Sequence, residues 1–384
     1  MRARLIPVCL TVMMSAWGPV DVALAQPGLT LGTDLIFYGD NTEFRNPFRE
    51  GETIFGTAGR LEGILDLSDR VAVSLGVFGN RRFGSGSAFD FVRPVIALTV
   101  TGGRSTFVFG TLQTPRAVVP PGPDRTGPHG LIPPLQRETL AFERPYEAGL
   151  QWMMCAARLE QDVWLHWQRL NTPHHRERLD AGARTAWRVA GPVSWPVQAH
   201  IVHEGGQLFA GGPVRDSLAV ATGIVLATPP QQAHDPLPSA AVRRSAATGG
   251  KLPLERTGGV QASLELLGLW SRDTPDRELP QGTRHGGAFF GRAAMQRAGW
   301  RVHLIAWRGD DFVKDEGDPN YLSMRRDGTR YRGVRDYAEA GLTRTFSPAP
   351  DVAVETSFRF HRIERHYEYS YRVLAVVRAR VRAR

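Results

Sequence analysis

The chain has 384 residues, a formal net charge of +9 and 42% hydrophobic residues. Its basic side is almost all arginine, since Lys251 and Lys314 are the only lysines; arginine stays charged and grips carboxylate or phosphate bidentately. Two cysteines, Cys9 and Cys155, exclude a disulfide-stapled fold, and no stretch after residue 25 approaches the ~20 apolar residues of a membrane helix.

The chain opens "MRARLIPVCLTVMMSAWGPVDVALAQ". Arg2 and Arg4 precede an apolar stretch, and Ala23-Leu24-Ala25 forms an A-x-A cleavage site. This reads as a secretory signal peptide over residues 1–25, exported by the Sec route. Once it is removed, Cys155 is the one remaining thiol.

From there period-2 alternation dominates. "RLEGILDL" sets Leu61, Leu65 and Leu67 against Arg60, Glu62 and Asp66. "VAVSLGVF" sets Val71, Val73, Leu75 and Val77 against Ala72, Ser74 and Gly76. "VETSFRFH" sets Val354, Thr356, Phe358 and Phe360 against Glu355, Ser357, Arg359 and His361. The final "YSYRVLAVVRARV" puts Tyr369, Tyr371, Val373 and Val377 on one face and Ser370, Arg372, Arg378 and Arg380 on the other. Sixteen strands are predicted, at 29–39, 56–67, 70–80, 89–101, 104–113, 146–156, 160–171, 177–190, 194–206, 215–227, 257–270, 286–297, 300–309, 335–346, 351–362 and 367–381. Many reach the ~9–11 residues a transmembrane strand needs, longer than the ~5–6 usual in soluble proteins.

The connections alternate in length. Those after even-numbered strands are tight: "SD" at 68–69, "GG" at 102–103, "GPV" at 191–193, "AG" at 298–299. Those after odd-numbered strands are longer: 40–55, 81–88, 114–145, 271–285, 310–334. Short periplasmic turns and long outer loops are the parity of an outer-membrane barrel. The expected fold is therefore all-β, a transmembrane antiparallel up-and-down barrel of fourteen to sixteen strands, with residues 26–384 as one domain. One segment breaks the parity. Residues 228–256, rich in Pro, Ala and Ser, stand where a short turn belongs; they read as a disordered periplasmic loop or as a sign of two strands miscounted. Trp187, Trp195 and Trp300 flank the tight turns, and Phe37, Trp270, Tyr367 and Tyr369 lie near the outer ends, as aromatic girdles would.

With these features the chain resembles a bacterial outer-membrane porin over nearly its whole length. "STFVFGTLQTPR" at 105–116 looks like the fifth porin strand, which leads into the third outer loop. In general porins that loop folds into the barrel and narrows the pore. The resemblance implies the same for 114–145, with Arg116, Asp124, Arg125, Arg137, Glu138 and Arg144 placing charge at the constriction. The end, "RVRAR", departs from the family's terminal aromatic.

The lumen carries the functional expectation. Arg60, Arg93, Arg184, Arg292, Arg359, Arg372, Glu62 and Glu147 face inward by parity, and arginine-lined pores favour anions. The expected function is diffusion of small hydrophilic anions across the outer membrane of a Gram-negative-type bacterium. Export of an acidic polysaccharide, or a non-conducting scaffold whose outer loops bind a surface partner, are the alternatives. Partners would be outer-membrane lipid, lipopolysaccharide, small anionic solutes and the barrel-assembly machinery; nucleic acid is not expected, and an oligomer is compatible. No cofactor, no metal site and no catalytic residues are expected. His174-His175 lacks the spacing of a helical zinc site. Asp310, Asp311, Asp315, Glu316 and Asp318, followed by Arg325, Arg326, Arg330, Arg332 and Arg335, read as a solvated loop salt-bridged to itself. Outer-membrane hydrolases built from Ser, His and an amide or acid carry these on the barrel's outer face. Ser370 and His361 both point inward, so the chain reads as a non-enzyme.

Overall fold

The computed structural model of the protein describes residues 28–113, 128–209, 211–228 and 259–382. Sixteen antiparallel strands form a barrel: β1 (Gly28–Arg45), β2 (Glu50–Asp66), β3 (Val71–Arg82), β4 (Phe91–Gly102), β5 (Ser105–Thr111), β6 (Ala148–Cys155), β7 (Leu159–Arg169), β8 (Glu177–Ala190), β9 (Val193–Gly205), β10 (Arg215–Ala227), β11 (Gln261–Thr274), β12 (Arg284–Arg297), β13 (Trp300–Asp310), β14 (Arg335–Ala349), β15 (Val352–Ile363) and β16 (His366–Arg382). Each strand pairs with its neighbours in sequence, and β1 closes on β16 from Thr30↔Arg382 to Glu43↔Tyr369. Closure leaves no sheet edge, so the ladders run from neighbour to neighbour around the whole ring. The sixteen-strand reading holds; the signal peptide and 229–256 lie outside the described residues.

The alternation places the apolar side chains on the outside. Along β16, Tyr367, Tyr369, Tyr371 and Val373 are exposed while Glu368, Ser370, Arg372 and Leu374 are buried. On β3, Leu75 and Val77 face out, and Ser74, Phe78 and Asn80 face in. An apolar exterior around a polar lining is the pattern of a barrel solvated by lipid. The protein is an outer-membrane barrel that contacts membrane lipid along this band. Trp187 and Trp195 stack on the exterior near one rim, with ring centroids 6.4 Å apart.

Two local features differ from the sequence expectation. The first outer connection is mostly strand. Asn41↔Thr53 and Thr42↔Glu52 stay paired, a register shift separates Thr42 from Arg45, and only 46–49 turn the corner. Polar side chains hold this extension together, with the Thr53 hydroxyl donating to Asn41 Oδ1 at 2.5 Å. The other feature is the root of the third outer loop, where Gly110 and Gly149 are cross-strand partners. Gly110 has φ +109°, and a Cβ there would lie 2.1 Å from the Ile96 carbonyl oxygen. Only glycine permits this approach.

The lumen is packed rather than empty in its outer half. Leu131, Ile132 and Leu135 of the third outer loop pack with Phe44 and Phe48 of the first, Phe312 and Tyr321 of the seventh, and Trp164, Leu267, Phe290 and Trp307 of the wall. A four-residue helix, α1 (Leu140–Glu143), follows in the third loop. Each large apolar side chain so buried contributes about 1.5–3 kcal/mol. The seventh outer loop is therefore not the solvated, self-bridging loop expected. Arg330 does pair with Asp311, but Phe312, Lys314, Tyr321 and Ser323 are buried. Asp318 bonds Arg49 at 3.0 Å, and Asp315 and Glu316 bond Arg178 at 2.9 Å. The aromatic and aliphatic residues between the acids pull the segment inward, and its charges find partners on β8 and on the first and third outer loops.

Candidate active site

Near the outer end, three adjacent strands bring a serine hydroxyl and an imidazole together. Register sets the arrangement. Glu339 on β14 is the cross-strand partner of His361 on β15, and Ser370 on β16 lies opposite Arg359, one inward position from His361. Such diagonal neighbours are about 7–8 Å apart at the backbone, within reach of long side chains. The Ser370 Oγ is 2.8 Å from His361 Nε2. On the other side of the ring, His361 Nδ1 is 2.7 Å from the Tyr337 hydroxyl, and that hydroxyl donates to Glu339 Oε2 at 2.6 Å.

Proton counting fixes the tautomer. The one hydroxyl proton of Tyr337 goes to the carboxylate, so the tyrosine oxygen must accept from His361 Nδ1–H. The neutral ring then offers a lone pair at Nε2, and Ser370 O–H donates to it. The result is a continuous relay from Ser370 through His361 and Tyr337 to Glu339. His303 Nε2 lies 2.7 Å from the other Glu339 oxygen, and the Phe44 ring packs edge-on against His361 at 4.9 Å. A base oriented by a third group and bonded to a hydroxyl is the constellation of nucleophilic catalysis.

Arginines flank the relay. Arg359 and Arg372 both bond Glu138 Oε2 at 2.8 Å, and Arg372 Nε donates to Asp40 Oδ2 at 2.5 Å. Burial of Glu138 would raise its pKa, but the Arg359 and Arg372 guanidiniums outweigh that and hold it well below the usual carboxylate range. These groups line a narrow cleft roofed by Pro133, Thr139 and Asn320 of the outer loops. A second cleft lies along β1 to β4 on the other side of β1, lined by Ile36, Phe78, Val95 and Tyr146. Among the described residues it holds no hydroxyl bonded to a base, so the cleft at Ser370 is the better site.

The predicted lumen residues scatter. Arg359, Arg372 and Glu138 come together at this cleft. Arg60 pairs with Glu62 at 2.6 Å, Arg184 with Glu160 at 2.9 Å and Arg292 with Glu265 at 2.8 Å, each along the wall. Arg93 is exposed, with its guanidinium 5.9 Å from the Phe91 ring. Glu147 binds His129, whose ring stacks on Trp164 at 3.7 Å and also reaches Asp162. Burial pushes the His129 pKa down, but Glu147 and Asp162 prevail and raise it to about 10. Arg137 bonds Glu143 within the third loop, and Arg144 bonds Glu316 of the seventh. Arg116, Asp124 and Arg125 lie outside the described residues.

Sequence reasoning placed Ser370 and His361 inward and then set them aside; it missed Tyr337, Glu339 and His303. The available signal was register. With β14, β15 and β16 joined by tight turns, inward positions 339, 361 and 370 must be neighbours. Among the described residues, Asp180, His200 and Glu316 form the one group with three metal-ligating atoms mutually close.

The family model described as lipid A 3'-O-deacylase-type matches residues 23–382. No curated protein matches the chain in sequence. Among solved structures it is similar to OmpT of Vibrio cholerae with loop L8 deleted (9% identity, TM-score 0.53, 92% of this chain and 100% of that one). It is also similar to the trimer form of in-vitro folded OmpT (9% identity, TM-score 0.51, 92% and 100%). An anion-selective porin from Comamonas acidovorans matches over 92% and 100% at 11% identity and TM-score 0.49. The likeness to OmpT establishes a porin-type barrel fold. The family match overturns the expectation of a non-enzyme: that family is one of enzymes, and the inward Ser370 and His361 do not argue against it.

Proposed function

The chain belongs to the lipid A 3'-O-deacylase-type family, and from that premise we propose that it hydrolyses an acyl ester of lipid A, with Ser370 as nucleophile and His361 as general base. The observation that carries this reading is the 2.8 Å contact between Ser370 Oγ and His361 Nε2. In the first step, Ser370 Oγ attacks the ester carbonyl and its proton passes to His361 Nε2. The tetrahedral intermediate collapses, and the sugar oxygen leaves with that proton. Water, deprotonated by the same nitrogen, then releases the fatty acid from Ser370. Tyr337 and Glu339 hold the ring and stabilise the imidazolium formed in each half-reaction. Arg359 and Arg372, both bonded to Glu138, fasten the third outer loop over the relay. His361 is two residues from the outer end of β15, so a substrate would reach the relay from the outer rim of the lumen.

Diffusion of small anions through an arginine-rich lumen is the second reading, favoured by the porin-type fold. It has less support, because Arg60, Arg184, Arg292, Arg359 and Arg372 are matched with carboxylates and loops pack the outer lumen. Mass spectrometry of lipid A incubated with purified, folded protein separates the two. Loss of one ester-linked chain by the wild type, slowed by roughly 10²–10⁴ in Ser370→Ala, is the expected result. Unchanged turnover in Ser370→Ala would remove this residue as nucleophile. Intact lipid A with wild type, together with ohmic conductance steps in a planar bilayer, would favour the pore.

A further inference from the structure

A second histidine in the lumen sits against two buried carboxylates, one of which has an oxygen without a hydrogen-bond donor. His200 on β9 is fully buried, and its Nδ1 is 3.0 Å from the Leu135 carbonyl oxygen. A carbonyl can only accept, so Nδ1 carries the proton and the neutral ring presents a lone pair at Nε2. That nitrogen is 3.0 Å from Asp180 Oδ1 on β8, which is itself an acceptor. Trp164 Nε1 and Gln168 Nε2 already donate to the two Asp180 oxygens, each at 3.2 Å. The third member is Glu316 of the seventh outer loop. Its Oε1 bonds Arg144 at 2.6 Å, Arg178 at 2.9 Å and Gln168 at 3.3 Å. Its Oε2 is buried with no hydrogen-bond donor, on a side chain only 5% exposed. One ligand atom from each of the three residues lies within 4.8 Å of the others.

Protonating His200 Nε2 would resolve the contact with Asp180 and leave Glu316 Oε2 orphaned. A cation among the three resolves both. We propose that Asp180, His200 and Glu316 bind a divalent transition-metal ion, zinc foremost, which fastens the seventh outer loop to the barrel wall. The donor set selects the ion. One imidazole nitrogen with two carboxylates suits zinc, with bonds of about 2.0–2.2 Å; calcium takes 6–8 oxygens. Donor atoms of a tetrahedral site stand about 3.3 Å apart on those bond lengths, within the observed spread. The Nδ1–H bond to a backbone carbonyl is the outer contact that orients a ligating histidine. Charge is balanced nearby: the guanidinium of Arg178 is shared with Asp315 at 2.9 Å and Glu204 at 3.4 Å. Because Leu135 belongs to the third outer loop, the ion would tie both plugging loops to β8 and β9.

The test does not depend on deacylation. Full-length protein folded in detergent is stripped with a chelator, and zinc chloride binding is measured by calorimetry and elemental analysis. One zinc per chain is expected, bound more than about tenfold more weakly by Glu316→Gln and His200→Gln, with heat-modifiable migration confirming folding. Substoichiometric zinc in the wild type, or equal binding by both variants, overturns the site. Equimolar calcium displacing the zinc overturns the choice of ion. Should the variants fail to fold, zinc-edge X-ray absorption on wild type decides: scattering from one imidazole plus carboxylate oxygens is expected, and none from imidazole refutes the assignment.

Discussion

His361 and His200 stand on different walls of one lumen and share half of their chemistry. Both carry the Nδ1 proton and spend it on an oxygen, Tyr337 in one case and the Leu135 carbonyl in the other. What differs is the group facing Nε2. A hydroxyl faces His361 and donates to it, which makes the ring a base. A carboxylate faces His200 and has nothing to donate, which makes the ring and carboxylate together a seat for positive charge. A single neighbouring side chain thus decides between proton transfer and cation binding.

Ser370→Asp breaks this contrast most sharply, since it imports the Asp180 arrangement beside His361. Deacylation should fall by at least about 10²-fold, measured on lipid A by mass spectrometry, while the barrel keeps its heat-modifiable migration. Next in size is Glu138→Ala, which strands the buried guanidiniums of Arg359 and Arg372. A loss of about 3–5 kcal/mol is expected from denaturant unfolding followed by tryptophan fluorescence. An unchanged midpoint would show that Asp40 and Glu339 suffice for both arginines.

A third histidine extends the comparison, because His129 has carboxylates on both sides and so keeps its proton. Its pKa rises from 6.5 to about 10 on folding. The sign follows: the stabilisation is complete below about 6.5 and is lost as pH climbs through about 10. The stability gap between wild type and His129→Gln should therefore narrow over that interval, and a constant gap would contradict the raised value. The smallest effect belongs to Arg93→Ala. This exposed side chain should change neither deacylation nor stability beyond about 0.5 kcal/mol; a clear loss of activity would extend the site to β4.

The wall was legible because a strand's two faces alternate along the chain itself. Leu61 against Glu62, or Tyr371 against Arg372, declares its side without knowledge of any other segment. The site was not, because its residues meet only through register and loop insertion. Glu339 and His361 are 22 positions apart and meet by pairing β14 with β15. Glu316 reaches Asp180 only because Phe312 and Tyr321 carry the seventh loop into the lumen. The acids of that loop suggested solvent, whereas the aromatics between them were the better guide. Ser370 and His361 were placed on the correct face and misjudged for it, since an inward position was taken to exclude catalysis.

The short strands at the root of the third loop have a consequence for the membrane itself. β5 has 7 residues and β6 has 8, against the ~9–11 that span a bilayer. At about 3.4 Å per residue, and before any tilt, the paired wall here rises about 24–27 Å. Eight strands away around the ring, β14 has 15 residues. The paired wall is therefore uneven in length around the ring, and shortest at the strands that carry the Gly110–Gly149 pair. Where the paired wall is short, the surrounding bilayer is expected to thin to match it, so the β5–β6 sector is where this barrel would deform its membrane most.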